Sequence, residues 1–238
     1  KVSNLDLVVH SPGGDGMAAE KMLDLCRKYC TGKLRVVVPL YAKSAATLLA
    51  LGADEIIMGE TSELGPIDAQ VFIVQDNQPQ MVSADHFLRA RNEAVKALAS
   101  ANSAEVQAAQ IQLALLSPAF LQHCDDLLKF AKDFAGKQLQ RHMFSAECAT
   151  DNAAWHTRIQ KIVDNLTASG QHLSHGRMIT AERIAADPQL QFLKIRALPN
   201  DDPYWLALDD LLLRTDVVVR SNQMGKILCA DGFELSAA

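Results

Sequence analysis

Short apolar runs at Leu5 to Val9, Leu34 to Pro39 and Glu55 to Met58, separated by stretches of helical spacing, are what most restrict the fold of this 238-residue chain. Runs this short, bounded by glycine and proline, read as buried strands rather than helices. Between them, Met17 to Tyr29 carries apolar residues at helical spacing through Met22, Leu23 and Cys26, and Ser44 to Leu51 reads as a helix of small residues. Strand, helix, strand, helix, strand in this order requires parallel pairing through crossover helices, so the expected class is α/β.

Further on, Ser62 to Asp68 is a Gly-Pro loop, and Val71 to Val74 fits another strand. From Ala84 to Phe144 the pattern changes to long helical stretches rich in Ala, Gln, Leu and Lys, with Pro118 after Ser117 dividing two helices. Ile159 to Leu166 is again helical and ends near Gly170; a polar turn at His172 to Gly176 leads to Thr180, placed to cap a short helix. Val217 to Val219 and Ile227 to Cys229 flank Ser221 to Gly225, which predicts a terminal hairpin.

The chain is 49% hydrophobic and 21% charged with a net charge of −5, and it lacks the basic stripe of a nucleic-acid partner. No apolar run approaches the roughly 20 residues that span a bilayer. The chain opens on Lys1 and enters a strand almost at once, without Met or a charged-then-apolar leader. We therefore expect the protein to begin earlier, leaving room for an upstream membrane anchor on an otherwise cytoplasmic domain. The five cysteines are dispersed with no CxxC pair, which argues for reduced thiols and against a zinc site; Cys26 and Cys30, one helical turn apart, read as a buried helix face.

Acyl transfer needs a nucleophile and backbone N–H groups aimed at the developing oxyanion. Ser44 sits where a strand gives way to a helix, so the N–H of Ala45 is a first-turn donor with the helix dipole behind it. The glycine turn at Gly13 and Gly14 ends a neighbouring strand and supplies a second donor from either residue. On the residues alone, each piece is a weak signal, since a serine at a helix start is usually only a cap and Pro-Gly-Gly is usually only a turn.

Four ordered segments sharpen this reading: His10-Ser11-Pro12-Gly13-Gly14, Tyr41-Ala42-Lys43-Ser44-Ala45-Ala46-Thr47, Ala53-Asp54-Glu55-Ile56-Ile57-Met58-Gly59, and Ser62-Glu63-Leu64-Gly65-Pro66-Ile67-Asp68. In that order they resemble the serine dehydrogenase proteinase family of the ClpP/crotonase superfamily, related to signal peptide peptidase A and ClpP. A later segment, His175 to Ala181, is similar to the Gly-Arg stretch before the last core helix of those peptidases. The resemblance implies a ClpP/crotonase-like fold of repeated strand-strand-helix units with a long helical arm at 84–144. It places the peptidase domain at 1–200 and a C-terminal extension with a hairpin at 201–238. It implies a serine peptidase working as a homo-oligomer, with Ser44 attacking a peptide carbonyl and the N–H groups of Gly13 and Ala45 holding the oxyanion. No glycine fingerprint for a nicotinamide and no motif for a pyridoxal-bound lysine accompanies the family's name, so no cofactor is expected.

The general base is less determined. ClpP has a histidine in the stretch corresponding to Asp68 and Ala69, and this chain has none there. Membrane-associated relatives place a lysine further on, near a helix start, where this chain carries Ala84-Asp85-His86-Phe87; His86 is therefore the first candidate, with a pKa range suited to the task. Lys96 is a later alternative, Lys43 is expected to project away from its neighbour, His10 to fill space behind the sheet, and His172 and His175 to lie in a solvated turn. A crotonase-type acyl-coenzyme A enzyme and a catalytically silent assembly module are the competing functions.

Overall fold

The computed structural model describes every residue except 76, 169–173, 223–225, 231–232 and 238, and only the backbone of the strands beyond 225. The expected parallel core is present. β1 (Leu5–Val8), β2 (Leu34–Val38), β4 (Glu55–Met58) and β9 (Ile195–Ala197) form a four-stranded sheet in the order β1-β2-β4-β9, all pairs parallel. Both faces of β2 and β4 are covered, which explains the consecutive apolar residues Val36 to Val38 and Ile56 to Met58. Val36, Val38, Ile56 and Met58 point into the main core with α1 (Gly16–Tyr29) and α2 (Ala45–Leu51), whereas the alternate residues Val37 and Ile57 meet Leu198, Trp205 and Leu208 on the other face.

Trp205 and Leu208 belong to α9 (Pro203–Ser221), which begins at an Asp202 cap with Pro203 in its first turn. This helix contains Val217 to Val219, which the sequence reading assigned to a strand. The terminal hairpin forms from β10 (Lys226–Ala230) and β11 (Phe233–Ala237) instead. Burial of Trp205 under the sheet anchors the helix start, and helical spacing then carries the β-branched triplet along with it.

The helical region at 84–144 divides into α3 (Ala84–Ala97), α4 (Ser103–Ala114) and α5 (Pro118–Arg141), with Ser117 capping α5 as its sequence implied. Leu88, Leu121, Cys124 and Leu128 share a second apolar cluster with Val71, but Phe134, Ala135 and Leu139 of α5 enter the main core. The arm is thus rooted in its own subunit. α6 (Ser145–Thr150) and α7 (Asn152–Thr167) follow, and α8 (Ala181–Ala186) is capped by Thr180, whose Oγ1 accepts the N–H of Arg183.

A second, three-stranded sheet sits at the end of the core. β3 (Tyr41–Ala42) pairs parallel with β5 (Glu63–Leu64), which pairs antiparallel with β8 (Ile179–Thr180). A parallel bridge between Ser11 and Ala42 extends it toward the glycine turn. β6 (Gln70–Gln75) and β7 (Gln78–Ser83) form a separate hairpin.

Candidate active site

Ser44 immediately precedes α2, after β3 and Lys43, and its backbone is unusual. Among the described residues other than glycine only Ser44 (φ 51°) and Asn77 (φ 58°) have positive φ. Asn77 lies in the β6–β7 turn, where asparagine adopts such angles readily. Ser44, with ψ −116°, has no such excuse; a strained strand-to-helix turn is how a serine hydroxyl is turned out of the backbone and exposed to a substrate. Its hydroxyl makes no capping hydrogen bond to α2, so the reading of Ser44 as an ordinary helix cap fails.

The strain is held by its surroundings. Thr47 Oγ1 lies 2.7 Å from the Ala42 carbonyl and 3.0 Å from that of Gly65, and accepts the Gly65 N–H at 3.1 Å. The first turn of α2 is thereby fastened to both neighbouring strands. The other wall is Gly13, at φ +116°, where an added Cβ would meet the Lys43 carbonyl oxygen and Ser44 Cβ, each at 2.9 Å. The glycine turn is therefore packed against the serine elbow. The Gly13 N–H donates to Ser11 Oγ at 3.1 Å, while the N–H of Ala45, first residue of α2, has no acceptor within its own helix.

The second sheet brings two more groups to the same end. Ser44 is two residues beyond Ala42, Asp68 four beyond Leu64, and His175 four before Ile179; β5 and β8 are antiparallel with Leu64 opposite Ile179. Continuing that register sets Asp68 opposite His175, and the two are joined, Nδ1 to Oδ1, at 2.7 Å. Asp68 is buried at 2% side-chain exposure and His175 is 23% exposed. A carboxylate accepts, so Nδ1 of His175 carries a proton; in the neutral imidazole Nε2 then holds the lone pair, the tautomer a general base needs.

His86 lies elsewhere in its local packing. It is exposed in the first turn of α3, a helix that packs on the second apolar cluster, and it makes no hydrogen bond or ion pair among the described residues. Lys96 closes the same helix. His10 stacks edge-on against Tyr41 at 4.2 Å between ring centroids, and burial lowers its pKa despite an opposing contribution from Asp216. His172 falls outside the described residues. Burial raises the pKa of Cys26, Cys124 and Cys148, which leaves those thiols poor nucleophiles. No cluster able to hold a metal ion occurs among the described residues. The Asp68–His175 pair escaped the sequence reading because 107 residues separate its members and the two-residue strands beside it leave no periodicity in the sequence.

A family model described as ClpP-like SDH-type serine proteinase matches residues 1–116. Two uncharacterized proteins of Methanocaldococcus jannaschii are 43% and 45% identical over 67 residues, 28% of this chain. The chain covers about a quarter of the length of these relatives, 23% in each.

Proposed function

We propose that this chain, whose residues 1–116 match a family model described as ClpP-like SDH-type serine proteinase, is a serine peptidase in which Ser44 is the nucleophile, His175 the general base and Asp68 the group that orients it. The single observation carrying this reading is the strained, uncapped Ser44 at the end of the sheet from which the bonded Asp68 and His175 also emerge. In the reaction, Nε2 of His175 takes the Ser44 proton as Oγ attacks the peptide carbonyl, then returns it to the leaving amine. The carbonyl oxygen, becoming negative, replaces Ser11 Oγ at the Gly13 N–H and takes a second bond from Ala45 N–H, backed by the dipole of α2. His86 is the competing base, favoured by its position in sequence but not by any contact. No helix among the described residues is long and apolar enough to cross a membrane.

We further propose that the peptidase acts as a homo-oligomer. Two exposed apolar faces support this: Phe72, Val74 and Met81 on one side of the β6–β7 hairpin, and Leu206, Leu213 and Val217 on α9. The test of function is hydrolysis of a fluorogenic peptide library by the wild type and Ser44→Ala. Cleavage abolished in the variant is expected. Equal cleavage by both removes Ser44 from the chemistry, no cleavage by either favours the silent module, and Ser44-independent binding of coenzyme A favours the crotonase-type enzyme.

A further inference from the structure

Lys43, adjacent to the nucleophile in sequence, does not extend into solvent. Its ammonium lies 2.8 Å from Glu63 Oε1 and donates to the carbonyl oxygens of Leu64 at 3.2 Å and Arg177 at 3.3 Å. The two charged side chains are only 12% and 17% exposed, so the pair is poorly screened by water. Its stem runs over Gly65, where a Cβ would meet Lys43 Cδ at 2.6 Å, so only glycine leaves that path open. Three acceptors thus fill the three donors of an ammonium.

What those acceptors belong to gives the arrangement its meaning. Lys43 itself precedes Ser44, Leu64 is on the strand leading to Asp68, and Arg177 is two residues after His175. β8 contributes only two residues to the sheet, Ile179 and Thr180, so the backbone that presents His175 has little ladder of its own to hold it. We propose that Lys43 is a positioning residue that sets the distance between the serine elbow and the His175 segment by tying the three strands together at one cation. The inference rests on the reading of Ser44, His175 and Asp68 as the catalytic set. A misplacement of about 1 Å between nucleophile and base costs on the order of 100-fold in rate, so the clamp acts on the chemical step rather than on binding.

The test is two-step inactivation by a fluorophosphonate, which separates reversible affinity (KI) from the reaction with Ser44 (kinact). Lys43→Met is made together with Glu63→Gln so that no unpaired charge is buried, and folding is checked by circular dichroism. A fall in kinact of about 10- to 100-fold with KI unchanged is expected, together with loss of the downfield Nδ1–H resonance that the bond from His175 to Asp68 should give in the wild type. Glu63→Gln alone, which removes the counter-charge but leaves both carbonyl bonds, is expected to lower kinact less than the double variant does. Wild-type kinact in the double variant overturns the role of Lys43, and if His175→Ala is slow in the same assay the catalytic reading survives it. Wild-type kinact in His175→Ala overturns both. Should the double variant not fold, Lys43→Gln takes its place, and an unchanged kinact there refutes the proposal equally.

Discussion

Replacing Gly13 by alanine separates backbone strain from steric contact, because Gly14 next to it supplies the control. Both have positive φ, +116° and +150°, but an added Cβ at Gly13 meets backbone and Cβ atoms at 2.9 Å whereas at Gly14 nothing lies within 4 Å. Strain of this kind costs roughly 1–3 kcal/mol at either position. At Gly13, forcing the Cβ against Lys43 and Ser44 adds about 1–3 kcal/mol more, since neither atom is the free end of a flexible side chain. Urea unfolding should therefore rank the variants wild type, Gly14→Ala, Gly13→Ala, with the second gap as large as the first. The contact is relieved most directly by moving Ser44, and a catalytic group must be held within about 0.5 Å. Fluorophosphonate reactivity, measured where all three proteins are folded, should then fall about 100-fold in Gly13→Ala and far less in Gly14→Ala. Equal stability and equal reactivity of the two variants would refute the packing of the glycine turn against the serine.

Thr47→Val keeps the shape of a side chain that is 0% exposed but removes the hydroxyl shared with the Ala42 and Gly65 carbonyls and leaves the Gly65 N–H to the Ala42 carbonyl alone, so a loss of about 0.5–1.5 kcal/mol and a lower labelling rate are expected from urea melts and probe kinetics. Trp205→Ala, removing a ring that is 1% exposed, should cost about 3–5 kcal/mol by the same melts; truncation after residue 200 should expose Val37 and Ile57 and bind a hydrophobic dye, whereas a stable, dye-free 1–200 fragment would show that α9 is dispensable. Burial, reinforced by Arg27, holds the His142 pKa below the ordinary histidine value of 6.5. The unfolded chain then takes up that proton first, so stability contributed by neutral His142 is lost as pH falls through 6.5 toward the lower folded value. The urea midpoint should drop between about pH 7.5 and about pH 5.5, one unit either side of the ordinary value of 6.5, and His142→Gln should shrink the drop; an identical drop in the variant contradicts the assignment.

The parallel core was legible because Val36, Val37 and Val38 are buried on alternating faces of one strand, which leaves no polar residue to blur the run. The serine elbow was legible only in part: the context around Ser44 marks a strand-to-helix change, but its positive φ and the loss of its cap are consequences of Thr47 and Gly13 packing around it. The Asp68–His175 pair was not legible, since strands as short as β5 and β8 carry no periodicity and their pairing is decided by tertiary contacts. Nor was β7, where Gln78, Pro79 and Gln80 give no alternation and the hairpin register alone supplies the strand. Val217 to Val219 failed in the opposite direction, a local β preference overruled by the helix that Trp205 anchors.

The most direct measurement is the rate of fluorophosphonate labelling at Ser44 in the wild type, His175→Ala, Asp68→Asn and His86→Ala, with the labelled residue located by peptide mass mapping. The wild type should label at Ser44. His175→Ala and Asp68→Asn should each fall by roughly 1,000-fold or more, as removal of a base or its orienting carboxylate does, while His86→Ala keeps the wild-type rate. Wild-type labelling in His175→Ala with loss in His86→Ala would transfer the base to His86, and label found on any residue other than Ser44 would contradict the account at its centre.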